Sequence, residues 1–313
     1  MLTRNLGRTG LKVTAFCLGS NTFGRMTDQA GSEAVLDAFV EAGGNFVDTS
    51  DSYSRGESES VLGRWMKARG SRARVVVATK VCSPMGDGPN DRGLSRQHIM
   101  DGVEASLRRL QTDYVDLYQA HRDDPETPLD ETLRAFDDLI RQGKVRYIGS
   151  SNYRAWRLAE ALGESRYHGC ARFESLQPKY NLMFRDEYER DLEPLCREQG
   201  IGVISYSSLG SGFFSGKYRR GQPLPSTPRA AGVEREYFNE RGWAILDAVE
   251  RIAREQSATV AQVALAWIVQ RPGITAPIAS ATSPEQIREL LGCVELKLSP
   301  EGIAQLDAAS AWQ

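Results

Sequence analysis

The sequence predicts a (β/α)8 barrel, the TIM-barrel fold class, with an N-terminal β-hairpin and extra helices near the C-terminus. Eight short runs rich in β-branched residues alternate with amphipathic helical patterns along the 313 residues. No linker, long charge run or low-complexity tract divides the chain, so we expect one domain over residues 1–313. The alternative, a doubly wound sheet that binds a dinucleotide, requires G-x-G-x-x-G after its first strand, but residues 19–24 read GSNTFG.

The strands are predicted from β-branched and apolar runs, taken in chain order. Residues 3–14, with Gly7 and Gly10 at their centre, are predicted to form a hairpin that seals one end of the barrel. The eight barrel strands are predicted at residues 16–18, 45–49, 74–80, 114–119, 145–149, 174–177, 202–206 and 274–278. Active sites of such barrels lie where the strands end, which indicates where functional residues should be sought.

The helices are predicted from capping residues that precede apolar stripes. Ser95 is predicted as the N-cap of one helix, and Thr127, followed by Pro128, as the N-cap of the next. Ser283 is predicted to begin another, because Ser283 and Gln286 have the spacing of a capping box. The remaining helices are predicted at residues 244–255, at residues 259–270 and after Ser299-Pro300.

The composition argues against several classes of protein. Lys and Arg number 39 and Asp and Glu 41, a formal net charge of −2 that is not typical of a nucleic-acid-binding protein. No apolar run reaches the roughly 18 residues of a membrane span, and the first residues lack the apolar core of a signal peptide. The five cysteines contain no C-x-x-C pair, and the three histidines have no metal-ligand spacing. We expect a cytoplasmic protein without metal, nucleic-acid or membrane partners; the composition does not indicate its oligomeric state.

Four side chains with distinctive chemistry follow three consecutive predicted strands. Asp48 and Tyr53 lie at and after the end of the second strand, Lys80 closes the third, and His121 follows the fourth. Each has an ordinary structural explanation when it is taken alone, such as a solvated strand end or a packed loop residue. Their coincidence at equivalent positions on neighbouring strands favours a shared site instead.

This set of groups suits proton transfer to a carbonyl oxygen. A tyrosine has an unperturbed pKa near 10, and an ammonium within hydrogen-bonding reach lowers it; a drop of two units corresponds to roughly 2.7 kcal/mol. We expect Lys80 to supply that charge to Tyr53, and Asp48 to orient the ammonium. His121 would orient the substrate carbonyl. No side chain supplies a hydride, so a reduced nicotinamide would have to provide it.

Phosphate groups are expected near the last two strands of the barrel. Barrels often bind phosphate at the loops that follow their seventh and eighth strands. The helix predicted to begin at Ser283-Pro284 would offer free backbone N–H groups and the positive end of its dipole there.

Several segments together resemble the aldo-keto reductase superfamily. They are GGNFVDTS (43–50), YSRGESE (53–59), ATK (78–80), DLYQAH (116–121), GKVRYIGSSN (143–152), QPKYN (177–181), YSSLGSG (206–212), SGKY (215–218), AQVALAW (261–267) and residues 278–286. The similarity covers nearly the whole chain, and the chain most resembles the bacterial branch that also includes potassium-channel β-subunit-like proteins.

The resemblance implies a (β/α)8 barrel, NADP(H)-dependent reduction of a small carbonyl compound, and a catalytic set of Asp48, Tyr53, Lys80 and His121 in which Tyr53 is the general acid. It also implies cofactor-binding roles. The residues are Ser20, Asn21 and Asp48 near the nicotinamide ribose, Ser151, Asn152 and Gln177 at the carboxamide, Tyr206 on the ring, Ser207, Leu209, Ser211 and Lys217 at the pyrophosphate, and Ser280, Thr282, Gln286 and Glu289 at the adenosine phosphate.

Cofactor preference and biological role have alternatives. Residues 281–283 read ATS and contain no Arg or Lys, which many relatives place beside the 2′-phosphate, so NAD(H) is an alternative to NADP(H). Arg229 and Arg288 could reach that phosphate, although a surface salt bridge is the expected fate of each. The same residues would suit a cofactor-binding regulatory subunit with vestigial turnover or an NAD-dependent alcohol or sugar dehydrogenase. Lys80 could also serve a lyase or isomerase as a Schiff-base amine.

Overall fold

Parallel strands form a closed barrel within residues 1–312, the range that the computed structural model describes. The antiparallel pair β1 (Thr3–Asn5) and β2 (Lys12–Thr14) precedes it. The eight barrel strands in this range are β3 (Cys17–Gly19), β4 (Phe46–Asp48), β5 (Val76–Val81), β6 (Val115–Ala120), β7 (Val145–Ser151), β8 (Phe173–Gln177), β9 (Gly202–Ser205) and β10 (Ile274–Ala279). The ring closes where β10 pairs with β3. The predicted TIM barrel and N-terminal hairpin are confirmed.

Successive side chains of each strand point alternately into the barrel and toward the surrounding helices. The inward-pointing apolar side chains fill the barrel. Phe46 of β4, Ala78 of β5 and Leu117 of β6 belong to a buried cluster that is separate from the larger core under the helices. Leu6 and Val13 of the hairpin join this interior cluster. The hairpin therefore closes the end at which the strands begin, and a site must lie at the other end.

Helices surround and follow the strands. Those within residues 1–312 are α1 (Gln29–Glu41), α2 (Glu57–Arg69), α3 (Arg96–Leu110), α4 (Leu129–Arg141), α5 (Ala155–His168), α6 (Glu193–Gln199), α7 (Ala230–Tyr237), α8 (Glu240–Glu255), α9 (Val260–Val269), α10 (Pro284–Leu291) and α11 (Pro300–Ala309). None of the helices in this range combines the length and the apolarity that a bilayer span requires. The single domain predicted over residues 1–313 stays a prediction, and Gln313 lies outside the described residues.

Two of the three predicted N-caps are confirmed. Ser95 and Ser283 each accept a hydrogen bond from the amide three residues later, at 3.2 Å in both cases. The predicted N-cap at Thr127 is wrong. Its hydroxyl donates to Asp124 Oδ2 at 2.7 Å, and Pro128 takes the cap position with a ψ of 134°.

The connection between β9 and β10 carries the extra helices α7, α8 and α9. Of these, α7 was not predicted, and α8 begins four residues earlier than expected. The reason for the earlier start is a cap, because Asn239 Oδ1 accepts a hydrogen bond from Gly242 N at 2.9 Å. The irregular residues 206–229 that precede α7 cross the end of the barrel where the site lies.

Candidate active site

The four predicted side chains meet at the carboxyl ends of β4, β5 and β6. Asp48 is the last residue of β4, Lys80 lies one residue before the end of β5, and His121 follows β6 directly. Tyr53 begins the short 3-10 turn after β4. Because neighbouring parallel strands end at the same edge of a barrel, their side chains converge without long loops.

Lys80 is the centre of this group. Its side chain is fully buried, and Nζ donates to Asp48 Oδ1 at 2.6 Å, to the main-chain oxygen of Thr49 at 2.8 Å and to Tyr53 Oη at 3.1 Å. An ammonium has three N–H bonds, so these partners use all of them. Burial alone works to lower the pKa of Lys80, but the Asp48 carboxylate and the phenol of Tyr53 outweigh it and raise that pKa. The side chain is therefore a charged, fully satisfied ammonium.

Tyr53 holds its proton more firmly than the sequence predicts. Burial raises the pKa of its phenol, Lys80 works to lower it, and Asp48 raises it further. The expected influence of Lys80 is present, but burial prevails and the pKa of the phenol is raised from its ordinary value. The raised pKa favours a neutral phenol at physiological pH, which can donate a proton.

Asp48 is held between the ammonium and two amides. Its Oδ2 accepts from Gln177 Nε2 at 2.9 Å and from Gln119 Nε2 at 3.4 Å. Gln177 was predicted as a cofactor residue, whereas Gln119 was not predicted to belong to the site. A signal for Gln119 exists in the sequence, since it is the polar residue on a face of β6 whose other members, Val115 and Leu117, are apolar.

His121 is a neutral imidazole beside the phenol. Its ring lies edge-on to that of Tyr53, with the ring centroids 6.0 Å apart. Burial lowers the pKa of His121 to about 3, with help from the charges of Lys80 and Arg122. Its Nδ1 lies 3.3 Å from Ser50 Oγ. At neutral pH only one ring nitrogen therefore carries a hydrogen.

A cavity of about 500 Å³ extends from Tyr53 toward the ends of β9 and β10. Many predicted cofactor residues line it, namely Asn21, Asp48, Tyr206, Ser207, Leu209, Ser211, Lys217, Ser280, Thr282 and Gln286. The tertiary structure thus brings together residues from the first, second, seventh and eighth barrel strands and the loops that follow them.

Other predicted cofactor residues do not line this cavity. Ser20 and Ser151 are buried, and their hydroxyls donate to the main-chain oxygens of Asp48 (2.9 Å) and Gln177 (2.8 Å). Asn152 lines a neighbouring cavity of about 710 Å³, and its Oδ1 accepts from Tyr206 Oη at 2.9 Å.

Glu289 lies on the exposed surface of α10 and is outside the cavity lining.

The backbone around the cavity is unusual. Eight non-glycine residues within 1–312 have positive φ, and six of them follow barrel strands at this end. The six are Ser54, Arg55, Cys82, Asn152, Ser207 and Ser211. Conformations of this kind cost of order 1–3 kcal/mol each and cluster at functional sites.

The cavity carries an excess of positive charge. Arg25, Lys217 and Arg229 line it, and none of them forms an ion pair within residues 1–312. The carboxylates among the lining residues are Asp48 and Glu236, which are paired with Lys80 and with Lys179 (2.9 Å) respectively. A cavity with uncompensated cations favours an anionic ligand.

Arg229 and Arg288 have different surroundings, although a surface salt bridge was expected for both. Arg288 pairs with Glu41 at 3.9 Å, as expected. The expectation for Arg229 is wrong, because its Nη2 instead donates to Asn21 Oδ1 at 3.3 Å inside the cavity. Burial and the nearby charge of Arg25 lower the pKa of Arg229. No local pattern distinguishes the two arginines.

Side chains bond to backbone amides at the start of α10, where a phosphate site was expected. Gln286 Oε1 accepts from Thr282 N at 2.7 Å, and Ser283 Oγ accepts from Gln286 N at 3.2 Å. The amide of Gln286 in the first turn of the helix and that of Thr282 before the helix are therefore already bonded to side chains. The arginine and lysine side chains of the cavity offer further contacts for an anion, and phosphate binding at this helix start stays a prediction. Within residues 1–312, no cluster of three or more His, Cys, Asp or Glu side chains could hold a metal ion.

Comparison with known proteins gives concordant findings. The model of the Aldo/keto reductase family matches residues 15–311. The chain is 38% identical over 311 residues to "Uncharacterized oxidoreductase YrpG" of Bacillus subtilis (strain 168), a match that covers 96% of this chain and 94% of that protein. It is 37% identical over 305 residues to "Probable voltage-gated potassium channel subunit beta" of Arabidopsis thaliana, covering 95% and 92%. A protein with the same description from Oryza sativa subsp. japonica is 36% identical over 319 residues, covering 98% and 96%.

Proposed function

The chain belongs to the aldo/keto reductase family of oxidoreductases, and from this premise we propose that it reduces an aldehyde or ketone to an alcohol with NADP(H). The observation that carries the proposal is the position of Lys80 Nζ, which joins Asp48 and Tyr53 beside the cationic cavity. A buried phenol next to an ammonium suits proton donation to an oxygen. The uncompensated cations suit the phosphates of a dinucleotide.

The cavity residues fit such a cofactor in charge and position. Lys217 and the left-handed residue Ser211 would hold the pyrophosphate, and Tyr206 would lie against the nicotinamide. Ser280 and Thr282 would lie at the adenosine end. A bound reduced nicotinamide supplies the hydride that no side chain can supply.

Tyr53 supplies the proton in this proposal. Because its pKa is raised, the phenol is protonated at neutral pH and can donate to the carbonyl oxygen. The ammonium of Lys80, 3.1 Å away, stabilises the phenolate that the transfer leaves behind. Asp48 balances the charge of Lys80 and fixes its position. His121 donates a hydrogen bond that orients the same carbonyl oxygen.

Arg229 supports NADP(H) over NAD(H). It shares Asn21 Oδ1 with Ser280, whose hydroxyl donates to that oxygen at 2.7 Å, so the guanidinium lies close to Ser280, a residue expected at the adenosine phosphate. A guanidinium without a carboxylate partner in the described chain is a strong donor to a phosphate monoester. Arg229 would thereby supply, from another loop, the cation that residues 281–283 lack.

The lyase or isomerase alternative has little support. A Schiff base requires a neutral amine, yet the pKa of Lys80 is raised. All three N–H bonds of its ammonium are used by Asp48, Thr49 and Tyr53.

A regulatory, cofactor-binding subunit is the second candidate. It is favoured by the similarity of the chain to the Arabidopsis and rice proteins, which are named as probable voltage-gated potassium channel β-subunits. The two candidates differ in turnover, because a regulatory subunit would bind the dinucleotide but would oxidise it only very slowly.

A stopped-flow screen tests the proposal. The protein is mixed with NADPH or NADH and with a panel of aldehydes and ketones, and the loss of nicotinamide absorbance is followed. We expect rapid loss with NADPH and at least one carbonyl compound, and slower loss with NADH. Tight NADPH binding without turnover of any compound would overturn the reductase proposal in favour of the regulatory role.

A further inference from the structure

His121 lies at the end of a chain of polar contacts that the proposed reaction does not use. Ser50 Oγ is 3.3 Å from His121 Nδ1 and 3.0 Å from Asp51 Oδ1. Asp51 is only 1% exposed, and its Oδ2 has no hydrogen-bond partner within the described residues. A buried carboxyl oxygen without a partner is costly when it is ionised, so this position favours the protonated acid.

The surroundings of Asp51 disfavour its negative charge. Glu59 of α2 faces it, and that carboxylate already takes the nearby cation, Arg109 of α3, at 2.7 Å. Tyr118 of β6 and Cys82 after β5 are the other titratable neighbours, and neither supplies a positive charge. Burial and the charge of Glu59 raise the pKa of Asp51 to about 7, against smaller opposing effects.

Asp51, Ser50 and His121 form a hydrogen-bonded relay, and among these three residues the hydrogens can be arranged in two ways. Ser50 has one hydroxyl hydrogen, and the neutral imidazole of His121 has one N–H. If Asp51 is ionised, it accepts the hydrogen of Ser50, which then accepts from His121 Nδ1–H. If Asp51 is protonated, it donates to Ser50 Oγ, and Ser50 donates to His121 Nδ1. The imidazole hydrogen then resides on Nε2.

Only the second assignment lets His121 assist a carbonyl. A hydrogen on Nε2 can be donated to the substrate oxygen, whereas a lone pair on Nε2 would repel that oxygen. We propose that Asp51 and Ser50 are positioning residues that set the tautomer of His121, so that carbonyl reduction weakens as Asp51 ionises. This inference rests on the proposed function, since it assigns His121 to the substrate oxygen.

The tautomer can be observed directly by NMR. The protein has three histidines, so 15N-labelled histidine and a His121→Asn variant assign the ring signals of residue 121. We expect hydrogen on Nε2 at pH 5.5 and a shift toward Nδ1 as pH rises through about 7. In Asp51→Asn the side-chain amide can donate to Ser50 permanently, so Nε2 should keep its hydrogen up to pH 9. In Ser50→Ala the tautomer should no longer respond to pH.

Ser52→Ala is the matched control. Ser52 Oγ lies 3.0 Å from Ser50 Oγ but bonds to neither Asp51 nor His121 in the described residues, so we expect this variant to keep the wild-type response to pH. A tautomer of His121 that does not change with pH in the wild-type protein, or a change that persists in Ser50→Ala, would overturn the inference.

Kinetics supply the second readout. We expect kcat/KM for carbonyl reduction by NADPH to fall about tenfold from pH 6 to pH 9 in the wild-type protein and less than about twofold in Asp51→Asn. A merely structural role for Asp51 would lower the rate equally at every pH. The NMR measurement requires no turnover, so it still decides the relay if the protein proves not to be a reductase. If the protein reduces carbonyl compounds but the tautomer of His121 does not change with pH, the relay is refuted and the reductase proposal stands.

Discussion

Lys80 Nζ lies 2.6 Å from Asp48 Oδ1, and both side chains are buried at the end of the barrel where the cavity opens. Two charges removed from water in this way remain favourable only while each keeps its partner, because an unpaired buried ion costs several kcal/mol. Tyr53 contacts the same ammonium at 3.1 Å. The group that stabilises the buried carboxylate therefore also acts on the phenol.

Lys80→Met should destabilise the protein as well as abolish turnover. The methionine would leave the Asp48 carboxylate buried and unpaired, at a cost of about 3–5 kcal/mol in the free energy of unfolding. Urea denaturation measures this loss. Adding Asp48→Asn to Lys80→Met should recover part of the stability without any activity, and the exposed Lys297→Met serves as a control that changes neither. Unaltered stability of Lys80→Met would contradict the buried ion pair.

Tyr53→Phe should nearly abolish reduction while cofactor affinity stays almost constant. The variant removes the phenol hydroxyl, the proposed proton donor, and such groups contribute about 10²–10⁴-fold to rates. Single-turnover kinetics give the rate, and NADPH fluorescence titration gives the affinity. A variant with normal turnover would show that another group protonates the carbonyl oxygen.

Arg229→Ala should weaken NADPH binding about tenfold and leave NADH binding nearly unchanged, because the guanidinium is proposed to contact the 2′-phosphate alone. Dissociation constants for both nucleotides, measured by fluorescence titration, test this difference. Arg288→Ala is the matched control, since Arg288 pairs with Glu41 at the surface, and it should affect neither constant. Equal weakening of both nucleotides would place Arg229 at the pyrophosphate instead.

Asp51→Asn should stabilise the protein above neutral pH. The pKa of Asp51 is raised to about 7 on folding. The stability contributed by its protonated form is therefore complete below the unfolded pKa near 4 and is lost as pH rises to about 7. Relative to the variant, the wild-type free energy of unfolding should fall by about 1.4 kcal/mol per pH unit across that window and then level off.

Urea unfolding at several pH values between 4.5 and 9 measures this difference. The exposed Asp247→Asn is its control and should show no such dependence on pH. A constant offset between Asp51→Asn and the wild-type protein at every pH would show that Asp51 titrates normally in the folded state.

The barrel could be predicted because its signals are local. A parallel strand is buried on both faces and reads as a continuous apolar run, as in the predicted strand at residues 74–80, which is observed at Val76–Val81. The helix starts at Ser95 and Ser283 were equally predictable, since a capping bond spans only three residues. The cytoplasmic location and the expected lack of nucleic-acid and membrane partners stay predictions.

The cation beside Ser280 could not be predicted, because it depends on contacts between distant segments. Arg229 reaches Asn21 across 208 residues of sequence, and nothing near it marks it as different from Arg288. The relay also depends on a contact between residues that are distant in the sequence. Ser50 contacts His121 across 71 residues, and neither its neighbours nor its spacing indicates that contact.

By itself the sequence determined the order of the strands and which side chains stand at their ends, because hydrophobic periodicity and strand boundaries are properties of short segments. Only the tertiary structure decided the charge each of those side chains carries. Tyr53 keeps its proton because surrounding elements bury it, and Lys80 keeps its charge because Asp48 is brought within 2.6 Å. Burial and pairing depend on every neighbour at once, so the protonation states of the site emerge only when the barrel closes.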